Sequence, residues 1–352
     1  MKITTTIAAT ALTCFGALPV AQAQTATEFY KGRQVTLLVS HPAGGGYDTY
    51  ARFYGRHLGR LLAGNPTIVV QNMPGAAGVA MTNHLFHQAA KDGSVIGLGA
   101  GPLATAPLLG SAGARYDPRQ LSWIGSMNAE VATAIAWHTH PVKTAKDLYQ
   151  TELVIAAGGA TDISAVSPIA LNRLLGMKIK TVTGYPGSAG QVLALERGEV
   201  GGIGGYNYGS LKSVRPQWLK EKTVNILLQY SFEAHPDLPN VPTLPQLART
   251  DEEKTLLALI FEPQKMGRPI FGPPGIPADR LKALRDAFDA FVKDKMVLAE
   301  SEKTQTELYR PMRGEEMSRL VMRLHETPAA IVKKAAEATL PLDTLKAGAP
   351  KK

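Results

Sequence analysis

The stretch Gln34–Asp48, QVTLLVSHPAGGGYD, decides the fold. Its first seven residues form a short apolar run that predicts a buried strand over Gln34–Ser40. Its end opens a helix, because Tyr50, Phe53, Tyr54, Leu58, Leu61 and Leu62 recur at helical spacing from Asp48 to Leu62. Between the two lie Pro42 and three consecutive glycines. Glycine lets backbone N–H groups approach a ligand closely, and a helix start offers unpaired donors and a favourable dipole. Ala43, Gly44, Gly45, Gly46 and Tyr47 are therefore candidate ligand contacts, suited to an anion without an arginine in the loop. Asp48 suits a helix cap first and a ligand contact second. Arg52, one turn on, is expected to meet the sheet or a neighbouring carboxylate. The nucleotide-binding spacings GxxxxGK(S/T) and GxGxxG are absent from this loop.

Working outward, the strand–loop–helix unit recurs. Thr67–Gln71 reads as a strand, Gly78–Ala89 as a helix and Val95–Gly99 as a strand, a series that predicts parallel βαβ pairing. Further strands are expected at Leu121–Gly125 and Val131–Trp137. A second series follows, with strands at Leu153–Ala157, Ile179–Thr183, Val200–Ile203 and Val224–Gln229, and helices at Ser164–Leu175 and Gly187–Arg197. Ligands of open α/β sheets bind at the carboxyl ends of strands. The loops at those ends add Gly99 and Gly101 from the first series. From the second they add Gly159, Ala160, Thr161, Asp162 and Ser164, then Tyr185, Gly187 and Ser188, then Tyr206 and Asn207. The hydroxyls of Thr161, Ser164 and Ser188 serve equally as ligand donors or helix caps. Tyr206 could stack on a ring or simply pack.

His235–Pro245 holds four prolines, which argues against any helix or central strand there. After Pro273–Pro277 a helix is expected from Asp279, with two or three more to about Ala338. A chain that leaves one α/β lobe, builds a second and returns predicts a two-lobed α/β clamshell with a hinge. The expected lobes are 28–128 plus 233–346, and 129–232, with 347–352 as a flexible tail.

The amino terminus carries Lys2, an apolar stretch from Ile7 to Val20, and Ala21-Gln22-Ala23. This is the pattern of a secretory signal cleaved after Ala23, too short in its apolar part to span a bilayer. The sole cysteine, Cys14, falls inside it, and Leu12-Thr13-Cys14 fits a lipobox poorly. The remaining chain would hold no disulfide and no thiol nucleophile. The net charge of +9 is spread along the chain, which gives no support to nucleic-acid binding but suits an anionic solute.

Enzyme signatures are weak. Gly187-Ser188-Ala189-Gly190 is not a GxSxG elbow, and HExxH is absent. His84 with His87, and His138 with His140, have the spacing of metal ligands but no carboxylate beside them, and read as ordinary surface or core histidines. Glu130 and Glu152 show no acid/base partner. No cofactor and no metal is expected.

Taken in order, HPAGGGYDTYAR, VVQNMPGAAG, GYPGSAG and LPNVPTL, with a PPGxP-led helix at 273–291, resemble the solute receptors of tripartite tricarboxylate transporters, the Bug receptors. Their usual patterns are PxPPGGxxDxxAR, VVxNxPGAGG, PYKGxAP and LPDVPT, and the match runs from about Phe29 to Leu244. The resemblance implies a type II periplasmic-binding fold. It also implies a periplasmic monomer that holds a small di- or tricarboxylate or aromatic acid through backbone amides, hydroxyls and waters, and passes it to integral membrane subunits. A receptor that presents its ligand to a sensor, and a periplasmic hydrolase, are the alternatives. The chain departs from the patterns at Ala43 (a proline in the family), at Gly46-Tyr47 (a small polar pair), at Pro186-Gly187 (Lys-Gly) and at Asn207 (often Asp nearby). It also has Phe261–Phe271, FEPQKMGRPIF, in place of a Trp-Phe-Gly hinge strand.

Overall fold

The computed structural model describes residues 24–339 except 112, 130, 160 and 161. The first series builds β1 (Gln34–Val39), β2 (Thr67–Asn72), β3 (Val95–Leu98) and β4 (Ser122–Ser126). The chain then crosses to a second sheet and lays down β5 (Ala132–Trp137), β6 (Leu153–Ala156), β7 (Ile179–Val182), β8 (Gly202–Asn207) and β9 (Val224–Gln229). It returns to complete the first sheet with β10 (Pro269–Gly272) and β11 (Met312–Arg313), giving the order β11-β4-β10-β3-β1-β2. The second sheet has the order β7-β6-β8-β5-β9. The architecture is thus a two-lobed α/β fold.

The βαβ units pair as their sequence predicts. β1 runs parallel to β2 and β3, with Leu37 beside Val70 and Ile96. β6 runs parallel to β7 and β8. The antiparallel pairs are β5 against β8 and β9, β10 against β3 and β4, and β11 against β4. β1 is apolar almost throughout because helices cover both faces of a parallel sheet. The helix Gly46–Leu61 buries Tyr50, Phe53, Tyr54 and Leu58 on one stripe. That stripe meets the helix Ala278–Phe291, where Phe291 lies edge-on to Tyr54 at 4.9 Å and to Phe53 at 5.4 Å. Such aromatic edges add to the area they bury, and they fix the start of this helix over the end of β1.

Two expectations need correcting. The strand expected at Val200–Ile203 is Gly202–Asn207 in the structure, so Gly204 and Gly205 are strand residues rather than a loop. A Cβ on Gly204 would fall 2.4 Å from Pro168, and one on Gly205 2.7 Å from the Ile163 carbonyl. The glycines are there because the helix Ile163–Leu175 lies directly on the strand, which then carries Tyr206 and Asn207 to the space between the lobes. The proline-rich return also holds one short helix, Leu244–Leu247, with Pro245 in its first turn, where a missing N–H costs nothing.

In the return segment, β10 and β11 belong to the first sheet, whereas the helix Ala329–Thr339 packs on Ile163–Leu175 of the second and on Asp251–Phe261. Among the described residues, no helix is long and apolar enough to cross a membrane.

Candidate functional site

A cleft opens between the sheets. The junction after β1 forms one wall. Gly44, at φ +81, donates its N–H to Asp48 Oδ2 at 3.0 Å. Asp48 points away from the cleft and also accepts from Arg52 at 3.1 Å and from Asn72 at 2.9 Å. Arg52 thus meets a neighbouring carboxylate, as its position predicts. Burial pushes the Asp48 carboxyl up, but Arg52, the Gly44 amide and Asn72 together outweigh it and hold the group below the usual aspartate range. Asp48 is neither the helix cap nor a cleft residue. The cap position belongs to Gly45, which has no side chain to offer.

The opposite wall has a matching feature. The helix Gly187–Glu196 starts after Pro186, again with no side-chain cap. The two uncapped starts face each other: a Cβ on Gly45 would stand 2.6 Å from Ser188 Oγ, and one on Gly187 would stand 3.1 Å from Pro42 Cδ. Beneath Gly46 lies Arg268, fully buried. Its guanidinium sits 4.3 Å from the Tyr47 ring centre and 4.6 Å from that of Tyr50, and donates to Ser210 Oγ at 2.7 Å. A Cβ on Gly46 would collide with that Ser210 hydroxyl, at 1.8 Å.

Beside this anion-attracting corner sits a carboxylate. Asp162 caps the helix Ile163–Leu175 through the Ser164 amide at 2.9 Å, and Ser164 Oγ donates to it at 2.5 Å. Its other oxygen reaches His41 Nε2 at 3.7 Å, from the first lobe. Burial alone would raise the Asp162 carboxyl; His41 and Ser164 more than offset this and depress it. His41 stacks on Tyr47 at 4.0 Å, and Tyr47 Oη accepts from Asn207 Nδ2 at 3.4 Å. Burial pushes the Tyr206 phenol up to about 12.

The expected site residues divide as follows. Tyr47, Gly101, Asp162, Ser188, Tyr206 and Asn207 line the cleft. Gly45, Gly46 and Gly187 stand at its edge, as the contacts above place them. Ala43 and Gly44 are on the outer side of the loop, exposed. Gly99 packs against Leu103 and Phe271. A Cβ on Gly159 would lie 3.6 Å from the Ala77 backbone nitrogen, across the lobes. Ser164 is buried behind Asp162, accepting from Gly158 and Gln191. Tyr185 packs with the second-lobe core. Ala160 and Thr161 lie outside the described residues. Sequence reasoning passed over His41, Gln191, Ser210, Gln264 and Arg268. His41 sits inside the quoted loop. Arg268 sits inside the atypical 261–271 segment, with nothing local to mark it.

The histidine pairs have ordinary partners: His84 with Gln88, His87 with the Arg115 carbonyl, and His140 with the Val142 amide. One group among the described residues has metal-ligand spacing, His235, Asp237 and Glu307. The Lys212 ammonium already stands there, 2.9 Å from Asp237 and 3.1 Å from Glu307.

No family model matches the sequence, and no curated protein matches it either. Solved structures do. The periplasmic binding protein BugD superposes with a TM-score of 0.66 at 23% identity, over 87% of this chain and 98% of its own. MatC from Rhodopseudomonas palustris with bound malate gives 0.66 at 20%, over 86% and 99%. A second R. palustris protein, with adipate, gives 0.67 at 19%, over 88% and 99%. The fold is therefore that of the Bug-type periplasmic binding proteins.

Proposed function

We propose that this chain is a periplasmic solute-binding protein of the tripartite tricarboxylate type, and that its cleft takes a small carboxylate. One observation carries the reading: two helix starts without side-chain caps, at Gly45 and at Pro186–Gly187, converge on one point above a buried arginine. Each start presents backbone donors and the positive end of a dipole. Arg268 adds a full charge in a water-poor setting, where it counts for more. The hydroxyls of Ser188 and Ser210 add neutral donors. The relatives in fold named with malate and adipate lend this reading weight.

The cleft is drawn together by contacts from opposite lobes, His41 with Asp162 and Tyr47 with Asn207. We take the lobes as 28–128 plus 233–346, and 129–232, closing by a hinge when solute binds. Delivery to integral membrane subunits, a monomeric state and release of a signal after Ala23 belong to the same reading. A hydrolytic role draws no support from Ser40, whose hydroxyl contacts His41 Nδ1 at 2.8 Å but is 1% exposed and out of a substrate's reach.

The test is a thermal-shift screen of the secreted protein against mono-, di- and tricarboxylates, followed by titration calorimetry and small-angle scattering. A true ligand at a hundred times its Kd stabilises by about 2.7 kcal/mol, and saturation compacts the particle. Stabilisation by amines or sugars but by no carboxylate would overturn the reading.

A further inference from the structure

The cleft does not end at the polar corner described above. A second pocket adjoins it, and Pro102, Ala106 and Ile163 line both. Past these three residues the cleft's imidazole, carboxylate and amide side chains, such as His41, Asp162 and Gln191, drop out of the lining. Leu109 comes from the first lobe, Val166 from the second and Phe261 from the return segment, and no side chain lining this annex is charged. Because lobes and return segment all contribute walls, the annex would form and dissolve with closure of the cleft.

Four hydroxyl residues stand at its wall: Thr105 and Thr339 donate to backbone carbonyls, while the hydroxyls of Ser111 and Ser167 have no hydrogen-bond partner among the described residues. Of the latter two, Ser167 is fully buried. Such a group costs free energy unless something pairs with it.

We infer that the annex is a specificity subsite for the apolar tail of the same solute, so that the preferred ligand is a monocarboxylate carrying an alkyl or aryl chain. The inference rests on the carboxylate reading above. The head group lies at the converging helix starts, and the chain runs past Asp162 and over Ile163 into the annex. Asp162, depressed and ionised, stands at the junction and repels a second carboxylate placed there. The annex offers that second charge no cation, whereas it rewards each buried methylene. A terminal hydroxyl is acceptable because Ser167 can pair with it. The argument for the solute's tail as occupant is continuity: the annex shares three lining residues with the cleft.

The experiment is calorimetric titration of the full secreted chain with propionate, butyrate, hexanoate, 6-hydroxyhexanoate and adipate. Affinity is expected to rise about fourfold per methylene once the chain passes the junction. Hexanoate and 6-hydroxyhexanoate should bind at least tenfold more tightly than adipate. Val166→Phe, at a half-buried position, should erase the gain of hexanoate over propionate and leave propionate unchanged. Ser167→Ala should weaken 6-hydroxyhexanoate and spare hexanoate. If propionate and adipate bind but chain length brings nothing, the subsite is wrong and the carboxylate reading stands. If none of the five acids binds, the subsite is wrong, and the carboxylate reading is decided separately by the wider screen. If the gain appears only after removal of residues 340–352, the annex belongs to the chain's own carboxyl-terminal segment and the inference is overturned.

Discussion

The junction after β1 and the junction after β6 are built alike, as strand, glycine loop and helix, yet they treat their aspartates in opposite ways. After β1, Asp48 turns inward, pairs with Arg52 and Asn72, and leaves the helix start at Gly45 uncapped. After β6, Asp162 occupies its own helix start as cap and faces the cleft. A helix start can hold its own carboxylate or a visitor's, but not both. Under the carboxylate reading proposed above, the first junction receives the anion and the second refuses one, which would give the cleft a polarity along its length.

The largest effect expected from this contrast is at Arg268. Replacing it by Gln removes the charge beneath the receptive junction and should weaken carboxylate binding by about 1.5–3 kcal/mol, the range for hydrogen bonds to charged groups. Calorimetry checks the affinity, and a thermal melt of the free protein separates this from misfolding. Unchanged affinity in a folded variant would place the anion elsewhere.

Gly45→Val comes next. The backbone of Gly45, at φ −94, accepts any residue, so the cost lies in the contact across the cleft. The new Cβ meets Ser188 Oγ only when the lobes are together. Overpacking of this kind costs about 1–3 kcal/mol, and it should appear in ligand affinity and not in the stability of the free protein. Gly45→Ala should be milder, and Gly45→Ala combined with Ser188→Ala should recover most of the loss, because the next atom, Ser188 Cβ, is 3.9 Å away.

Asp48 sharpens the comparison from the side of stability. Its carboxyl is depressed below the ordinary aspartate value of 3.8. The stability it contributes is therefore fully present above that value and is lost as pH falls through the depressed folded value. Asp48→Asn should cost about 1 kcal/mol at neutral pH, with or without ligand. The difference from the parent should shrink below pH 4, as read from urea melts across an acid series. Dependence of that loss on ligand would contradict the inward role assigned to Asp48.

The unequal legibility of the two junctions has a physical origin. QVTLLVS followed by glycines and a helical stripe is local information, so β1, its loop and its helix can be read from sequence with small boundary errors. Gly204-Gly205 could not be read correctly, because glycine in a strand and glycine in a loop look the same until the helix that presses on them is known. Arg268 was invisible for a stronger reason. It is about 220 residues from Tyr47 and Tyr50, whose rings hold it, and only the return of β10 between β3 and β4 brings it under Gly46. The loop alone points to an anion site without arginine; the fold places Arg268 beneath that loop from another part of the chain.

The smallest effect tests whether the second lobe touches the anion at all. Ser188 lies in the first turn of an uncapped helix and lines the cleft. Its hydroxyl could donate to the ligand, or merely fill the space opposite Gly45. Ser188→Ala removes one neutral donor and no charge, so a direct contact predicts a loss of about 0.5–1.5 kcal/mol in binding. A space-filling role predicts less, because the Cβ remains. The distinction is clearest with Ser210→Ala measured alongside. Ser210 Oγ accepts from Arg268, so its removal frees a guanidinium donor and should change binding by a different amount from Ser188→Ala. If Ser188→Ala is silent in calorimetry while Arg268→Gln is severe, the carboxylate is held from the first lobe alone, and the second lobe acts only as a lid.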